Sequence, residues 1–448
     1  LRLSWTITSA QSILYVSIII ANFIINLFII YNHTLILGGS QFSQSAFFAK
    51  KIVHSLLLFI LLAIAWQPVM GASADNESLV LNTKTPIMTF EGGKLYKTGS
   101  LNIVELHGSY REMGRQYGAL QKKELNEIYG NISADFYKNP EFTYDVMLQD
   151  ARYNFRFYPQ RYKEIIYGMA ETSGLGLDKQ LIVNDLETYV NLQEGQCSGV
   201  AAWGNYTSGG PLVFGRNYDM GPKFANYATV AIYNPDDGSI PVASITYTGV
   251  IYVTSGMNKE GMFLELNNGQ ISENMQRDNR VFSPVSLFSF LESSTDLDQI
   301  DAQFHTSYPD NAYIVNVANE TGAYSYEWAT SDVVRRAPDK DGLLVATNHF
   351  VDPSWGLAPI ALDDQDPAFT AHRRANLLAL GEKYKGKFNP EVMMETMSIP
   401  LEKGGAFRAP NVTSYQIVAV PKELKVWVRV PEVQEWTEVD LKPLFNEK

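Results

Sequence analysis

CSGVAAWGNYTSGGPLVFGRNYDM (197–220) opens on Cys197, the one cysteine in 448 residues. Two short apolar runs in it, GVAAW and PLVFG, are separated by a cluster of Gly, Asn, Thr and Ser, which reads as strand, turn, strand. The same texture continues downstream in YATVAIYNP, VASITYTGVIYVTSGMN and GMFLELNNG. Upstream the texture differs. LNIVELHGSYREMGRQYGALQKKELNEIYGNI (101–132) reads as a strand, a turn at Gly108-Ser109, and an amphipathic helix on which Met113, Tyr117, Leu120 and Leu125 recur at helical spacing. Residues 143–195 continue helix-rich, with no Gly/Ser linker. Farther on, 283–304 and 371–384 read as helices, 311–328 as two strands around the NETG turn, and 414–430 as a closing hairpin. Elements grouped in this way predict an α+β sandwich over a doubly wound parallel sheet.

The net charge is −12. Residues 1–74 hold Arg2, Lys50 and Lys51 and no acidic side chain, so 33 of the 36 basic residues remain against 48 acidic ones in the rest. That balance argues against a nucleic-acid partner, which needs a basic face. Residues 12–31 form an apolar run long enough to span a bilayer. Residues 46–74 carry Lys50-Lys51, an apolar centre and the small-residue end Ala72-Ser73-Ala74, the pattern of a signal peptide cut after Ala74. The expected product is secreted or periplasmic. Residues 1–45 are then either untranslated upstream sequence or a membrane anchor.

Export sharpens the question of the single thiol. Exported proteins tend to pair their cysteines, and a leftover one points to a reactive group as readily as to a small buried hydrophobe. The exported part has four histidines, His107, His305, His349 and His372, with no metal-ligand spacing and no HExxH. No P-loop or GxGxxG occurs. No cofactor or metal is expected. A Cys–His pair would have to use His349 or His305. A third route needs no histidine: cutting the bond before Cys197 would place an α-amine, with a pKa of about 7.7–8.0, beside the thiol as its base.

The neighbours of Cys197 favour that route. Residues 197–220 resemble the start of the mature catalytic chain of N-terminal-nucleophile (Ntn) hydrolases. The nearest groups are the choloylglycine hydrolase/penicillin V acylase branch and the acyl-CoA:6-aminopenicillanic acid acyltransferase branch (peptidase C45-like). GSYREMGRQYGALQ (108–121) resembles the pro-segment signature of the latter, and GMNKEGMFLELNN (256–268), TNHF (347–350) and HRRANLL (372–378) follow in consistent order.

The resemblance implies a four-layer αββα Ntn-hydrolase sandwich, with a helix-rich N-terminal pro-segment at 75–196 as light chain and a catalytic domain at 197–448 as heavy chain, the two staying associated. Cleavage would fall between Gln196 and Cys197, in a strained turn flanked by Gly195 and Gly199. Cys197 would be the nucleophile. Asp219 would orient the new α-amine, and Arg216 would pair with Asp219. Asn267, or its neighbour Asn268, would be the oxyanion donor, with Asn348 a second site amide. Arg373, or else Arg374, would be the late arginine. Tyr218, Met220, Phe350 and Trp355 are candidates for an apolar substrate pocket, while Trp203 is expected in the core.

The reading is a hydrolase of linear amide C–N bonds acting on a small N-acyl amide through a thioester. Acyl transfer to an amine acceptor is the alternative within the class, and a non-catalytic exported binding protein the alternative outside it. The particular amide and the oligomeric state stay open.

Overall fold

A computed structural model describes residues 85–191, 196–273, 279–408 and 411–446. All belong to one of the two compact units into which the chain divides, Ser78–Lys448. The expected signal segment at 46–74, the apolar run at 12–31 and the rest of 1–45 lie outside the described residues. Among the described residues no helix is long and apolar enough to cross a membrane.

Helices and strands are both present, as the grouped pattern predicts. β1 (Met88–Phe90), β2 (Gly93–Thr98) and β3 (Leu101–Gly108) come first. Six helices follow: α1 (Tyr110–Leu120), α2 (Lys122–Phe136), α3 (Tyr144–Arg156), α4 (Gln160–Thr172), α5 (Leu177–Asn184) and α6 (Leu186–Asn191). The predicted turn before α1 is a reciprocal cap: Ser109 accepts from the Glu112 amide, and the Glu112 carboxylate accepts from the Ser109 amide at 2.8 Å. Such a cap is worth about 1 kcal/mol. Met113, Tyr117 and Leu120 of α1 and Leu125 of α2 are all buried, as their spacing requires.

β4 (Gln196–Ala202) and β5 (Val213–Asp219) bracket the glycine-rich turn. β6 (Ala228–Pro235), β7 (Val242–Tyr247), β8 (Ser255–Asn258) and β9 (Phe263–Asn268) complete the strand-rich stretch. Residues 283–304 form two helices rather than one, α7 (Ser283–Ser293) and α8 (Leu297–Thr306). Asp296 causes the break, because its side chain accepts from the Gln299 amide at 2.9 Å and starts a new helix. β10 (Tyr313–Ala318) and β11 (Ala323–Trp328) form the expected hairpin, followed by β12 (Val333–Arg336) and β13 (Leu343–Ala346). Then come α9 (Thr370–Lys383), α10 (Pro390–Ser398), β14 (Thr413–Val420), β15 (Lys425–Val430) and β16 (Gln434–Asp440).

The strands make two sheets, ordered β1-β2-β3-β6-β7-β8-β9-β10-β11-β12 and β13-β4-β5-β14-β15-β16. β3, from the helix-rich segment, pairs in parallel with β6, from the strand-rich one. Position 196/197 is therefore a point inside one shared fold, not a linker between two.

Alternation along β5 shows how the smaller sheet is sandwiched. A Cβ on Gly215 would meet Met393 Sδ of α10 at 2.6 Å, so that side faces helices. Phe214 and Arg216 point the other way: the Phe214 ring lies 5.0 Å from Phe263 of the larger sheet, and Arg216 reaches Glu265. The larger sheet in turn carries α1 against β2 and β3, and α7 against β7 and β8. Trp203 is half-buried and packs against the main core, as expected.

Candidate active site

Cys197 is the second residue of β4 and pairs with Tyr218 of β5. Two positions along, Gly199 shares its face, and a Cβ there would meet Glu265 Oε1 at 2.2 Å, so any larger residue would have to displace that buried carboxylate. The Cys197 thiol therefore points into the layer between the sheets, and it is 3% exposed.

Arg216 reaches the same layer from β5. Its Nη2 lies 3.3 Å from Cys197 Sγ and donates to the Leu266 carbonyl at 2.6 Å. Nη1 donates to Ser255 Oγ at 2.6 Å and to the Thr254 carbonyl. Nε lies 3.3 Å from Glu265 Oε2, with both side chains fully buried. The guanidinium is thus tied to β8 and β9 by fixed acceptors and presents one N–H to the sulfur. Burial pushes the thiol up to about 12; Arg216 opposes that shift, and the Glu265 and Asp219 charges add to it. Thiolate is the reactive form. At pH 8 a group with that pKa is ionised in about one molecule in ten thousand. The uncut folded chain is therefore expected to resist iodoacetamide at pH 8 and to be alkylated after unfolding, as read by intact mass. Rapid labelling of the folded uncut chain would contradict the burial.

The expected pairing of Arg216 with Asp219 does not form. Residues three apart on a strand project to opposite faces. Arg216 turns inward to Glu265, and Asp219 turns toward α9. There Asp219 Oδ1 accepts from Thr413 Oγ1 at 2.6 Å, while Oδ2 has no hydrogen-bond donor among the described residues and lies 3.9 Å from Arg373 Nη1. Burial raises the Asp219 pKa against the pull of Arg373. In register, Asp219 stands opposite Gln196, one residue from the Cys197 nitrogen.

Arg373, not Arg374, belongs to this cluster. It is fully buried on α9; Nη1 donates to the Cys197 carbonyl at 2.6 Å, and Nη2 donates to Gln196 Oε1 at 3.0 Å and to Asn348 Oδ1 at 2.7 Å. Burial lowers its pKa to about 10. Arg374, one step around the helix, pairs with Asp339 instead. Asn348 Oδ1 also accepts from the Cys197 amide at 3.0 Å, and Nδ2 donates to the Asn268 carbonyl at 2.8 Å. Both residues flanking the Gln196–Cys197 bond are therefore held by Arg373, and the Cys197 nitrogen by Asn348.

Alternation also separates Asn267 from Asn268. Glu265 and Asn267 share the face toward the smaller sheet, and Asn267 Nδ2 donates to Glu265 Oε1 at 3.2 Å. Asn268 turns away to Gln270 Oε1 at 3.3 Å. Asn267, fully buried on the thiol's side of its sheet, is the better-placed amide.

Further expectations are corrected. The Gln196–Cys197 bond lies in a regular strand, not a strained turn, and Gly199 serves close packing rather than flexibility; Gly195 lies outside the described residues. Tyr218 is core rather than pocket wall: its ring stacks on Tyr415 with centroids 4.4 Å apart, and its hydroxyl donates to the Glu187 carboxylate. Met220 is likewise buried in the main core. Phe350 and Trp355 do line a cleft. Neither candidate histidine is seen on the thiol: His349 Nδ1 lies 2.9 Å from Thr370 Oγ1, and His305 Nδ1 lies 2.9 Å from the Asp301 carbonyl. Burial lowers the His349 pKa to about 4.

Sequence reasoning missed Glu265. Its signal was present in MFLELNN, where a lone charge sits two residues before Asn267 in an otherwise apolar strand. Among the described residues there is no group of three or more His, Cys, Asp or Glu side chains arranged to hold a metal ion.

No family model matches the chain. Two curated proteins of Dictyostelium discoideum are similar to it. Protein dcd1B is 28% identical over 191 residues, covering 36% of this chain and 38% of that protein. Protein dcd1A is 26% identical over 257 residues, covering 47% and 56%. The chain thus spans about half the length, or less, of these curated relatives. Among solved structures, a Caenorhabditis elegans N-acylethanolamine-hydrolyzing acid amidase ortholog is 17% identical with a TM-score of 0.37, covering 53% of this chain and 95% of that one. A variant of conjugated bile acid hydrolase from Clostridium perfringens is 11% identical with a TM-score of 0.42, covering 56% and 95%. Penicillin V acylase from Agrobacterium tumefaciens is 11% identical with a TM-score of 0.39, covering 56% and 89%. These three are Ntn-hydrolase family members, the group that the sequence motifs resemble. The activities in their names are those proteins' own.

Proposed function

We propose that this chain is an amide hydrolase with a four-layer αββα fold, in which Cys197 becomes an N-terminal nucleophile by cutting the Gln196–Cys197 bond. The observation that carries this reading is the grip on that one bond. Arg373 and Asn348 hold its two residues, Asp219 stands beside it with an Oδ2 that accepts no hydrogen bond among the described residues, and Arg216 covers the sulfur.

In self-cleavage the thiol sulfur bonds to the Gln196 carbonyl carbon, and the thiol proton ends on the Cys197 nitrogen as the C–N bond breaks. Water then opens the thioester, leaving a carboxylate on Gln196 and free thiol and α-amine on Cys197. Asp219 Oδ2 would receive the α-ammonium. In turnover the α-amine takes the thiol proton, sulfur attacks the substrate amide carbon, and the proton passes to the departing amine. Water hydrolyses the thioester to release the acid. Arg216 favours the thiolate, and the free N–H of Asn267 Nδ2 stabilises the oxyanion. The helix-rich segment stays in place because β3 is hydrogen-bonded to β6.

A panel of N-acyl amides with amine release as readout tests the reading. Asn267→Ala is expected to lower kcat by about 10²- to 10³-fold with little change in KM, the loss seen when one oxyanion donor is removed. Unchanged kcat would remove Asn267 from the site.

A further inference from the structure

Glu187 lies on α6, in the helix-rich segment, and is 3% exposed. Its helix is tied down on both sides of it. The Glu187 amide donates to the Tyr252 hydroxyl oxygen at 3.0 Å, and the Tyr189 hydroxyl donates to the Met147 carbonyl at 2.6 Å. The Glu187 carboxylate accepts from the Tyr218 hydroxyl, on the other side of the Gln196–Cys197 bond in sequence.

Tyr218 stands directly opposite Cys197 in the β4–β5 ladder and shares a face of β5 with Arg216. The Arg216 guanidinium carbon lies over the Tyr218 ring, 4.9 Å from its centre, within the range of a cation–π contact. The ring itself is held by Tyr415, stacked at 4.4 Å and 11°, and by Tyr247, edge-on at 5.9 Å and 70°. An unbroken series of contacts thus runs from the helix-rich segment to the sulfur: Glu187 to Tyr218, Tyr218 to Arg216, and Arg216 Nη2 to Cys197 Sγ at 3.3 Å.

Hydrogen bonds to Thr254, Ser255 and Leu266 restrain the guanidinium in its own plane, because its N–H groups all lie in that plane. The ring contact adds a restraint of another kind, and the tie to Glu187 fixes the ring. A buried carboxylate and phenol are costly, and an apolar pair of the same shape could fill this space. Here the polar pair stands immediately behind the nucleophile.

We propose that Glu187 is a positioning residue for Cys197: through Tyr218 it holds Arg216 against the sulfur, so the helix-rich segment is a working part of the site before and after the cut. This rests on the amide-hydrolase reading above.

The test measures amine release and the rate of Cys197 labelling by iodoacetamide as a function of pH on full-length variants. Glu187→Ala is expected to lower kcat by about ten- to 100-fold with little change in KM, the scale of loss when a reacting group is slightly misplaced. It is also expected to slow labelling about tenfold, as a thiolate loses its nearby cation. Glu187→Gln can still accept from the Tyr218 hydroxyl and is expected to restore most of both rates. Tyr218→Phe keeps the stacked ring without its tie and is expected to give the same losses, with little added on combining it with Glu187→Ala. If Glu187→Ala does not fold, the double variant Glu187→Leu/Tyr218→Phe replaces both polar partners by apolar ones and is expected to fold with the same losses. Normal kcat and labelling in Glu187→Ala, faster labelling, which would report an opened fold, or full activity in the apolar double variant would overturn the assignment. Labelling reads the thiol whether or not the chain cuts itself. Slowed labelling in Glu187→Ala beside a wild type that hydrolyses no amide would overturn the hydrolase reading and leave the positioning role standing. Normal amide hydrolysis by Glu187→Ala would do the reverse.

Discussion

Cys197→Ala is expected to remain a single polypeptide and to lose about 10⁶-fold in turnover, the scale of loss when a covalent nucleophile is removed. Under the proposed mechanism both effects have one cause: the sulfur is the attacking atom in self-cleavage and in substrate hydrolysis. Stability should change little. Alanine keeps the β-carbon, the ladder pairing with Tyr218 and the amide donated to Asn348, and the cost is a small cavity plus one N–H of Arg216 without its sulfur. Arg216 keeps its acceptors at Thr254, Ser255 and Leu266. Cys197→Ser, with a weaker oxygen nucleophile, is expected to cleave slowly. Intact mass and amine release on the same preparations check both points. A Cys197→Ala chain that still cuts, or still turns over, would remove the thiol from the chemistry.

Asp219→Asn is expected to cut turnover by about 10²- to 10⁴-fold, the range spanned by general-base catalysis and by removal of a charge that orients the base. The amide has the carboxylate's shape and can still accept from Thr413, but it cannot hold an ammonium. Thermal stability should not fall. Burial raises the Asp219 pKa in the folded state. The folded chain thus binds this proton more tightly than the unfolded one, and the group's favourable contribution is present below its unfolded pKa and lost as pH rises through the folded value. At neutral pH the charge is a cost that asparagine does not carry. A lower kcat with an unchanged or raised melting temperature is the expected pattern. Normal turnover would mean that Asp219 is only the end of a strand, and a large fall in melting temperature would make its role structural.

Much of this site was legible locally. Alternation in PLVFGRNYD marks a strand, and GSYRE marks a capped helix start, because both signals depend only on near neighbours in sequence. Motif resemblance brought Cys197, Arg216, Asp219, Asn267, Asn348 and Arg373 onto one page; the fold gathers five of them about Cys197 and its neighbour Gln196, and sets Asn267 beside Glu265 on the facing strand. What local reading could not supply was direction. Arg216 and Asp219 look like a pair at three residues' spacing, yet period-two geometry sends them to opposite sides of β5, and the true partner of Arg216 lies in the other sheet. The choice of Asn267 over Asn268 follows from the same alternation once the facing sheet is known. Arg373 and Arg374 are adjacent on α9, about 100° apart around its axis. Only the packing of that helix shows that one faces Cys197 and the other Asp339. Tyr218 next to Asp219 suggested a pocket; its partner Glu187, contributed by the helix-rich segment, makes it a core residue.

The central claim is that the base is the α-amine of Cys197, and the measurement that meets it most directly is the intact mass, with N-terminal sequencing, of active wild-type protein. Expected are two associated chains, one ending at Gln196 and the other, residues 197–448, beginning with Cys-Ser-Gly-Val. Active enzyme in which Gln196 is still joined to Cys197 would contradict the claim.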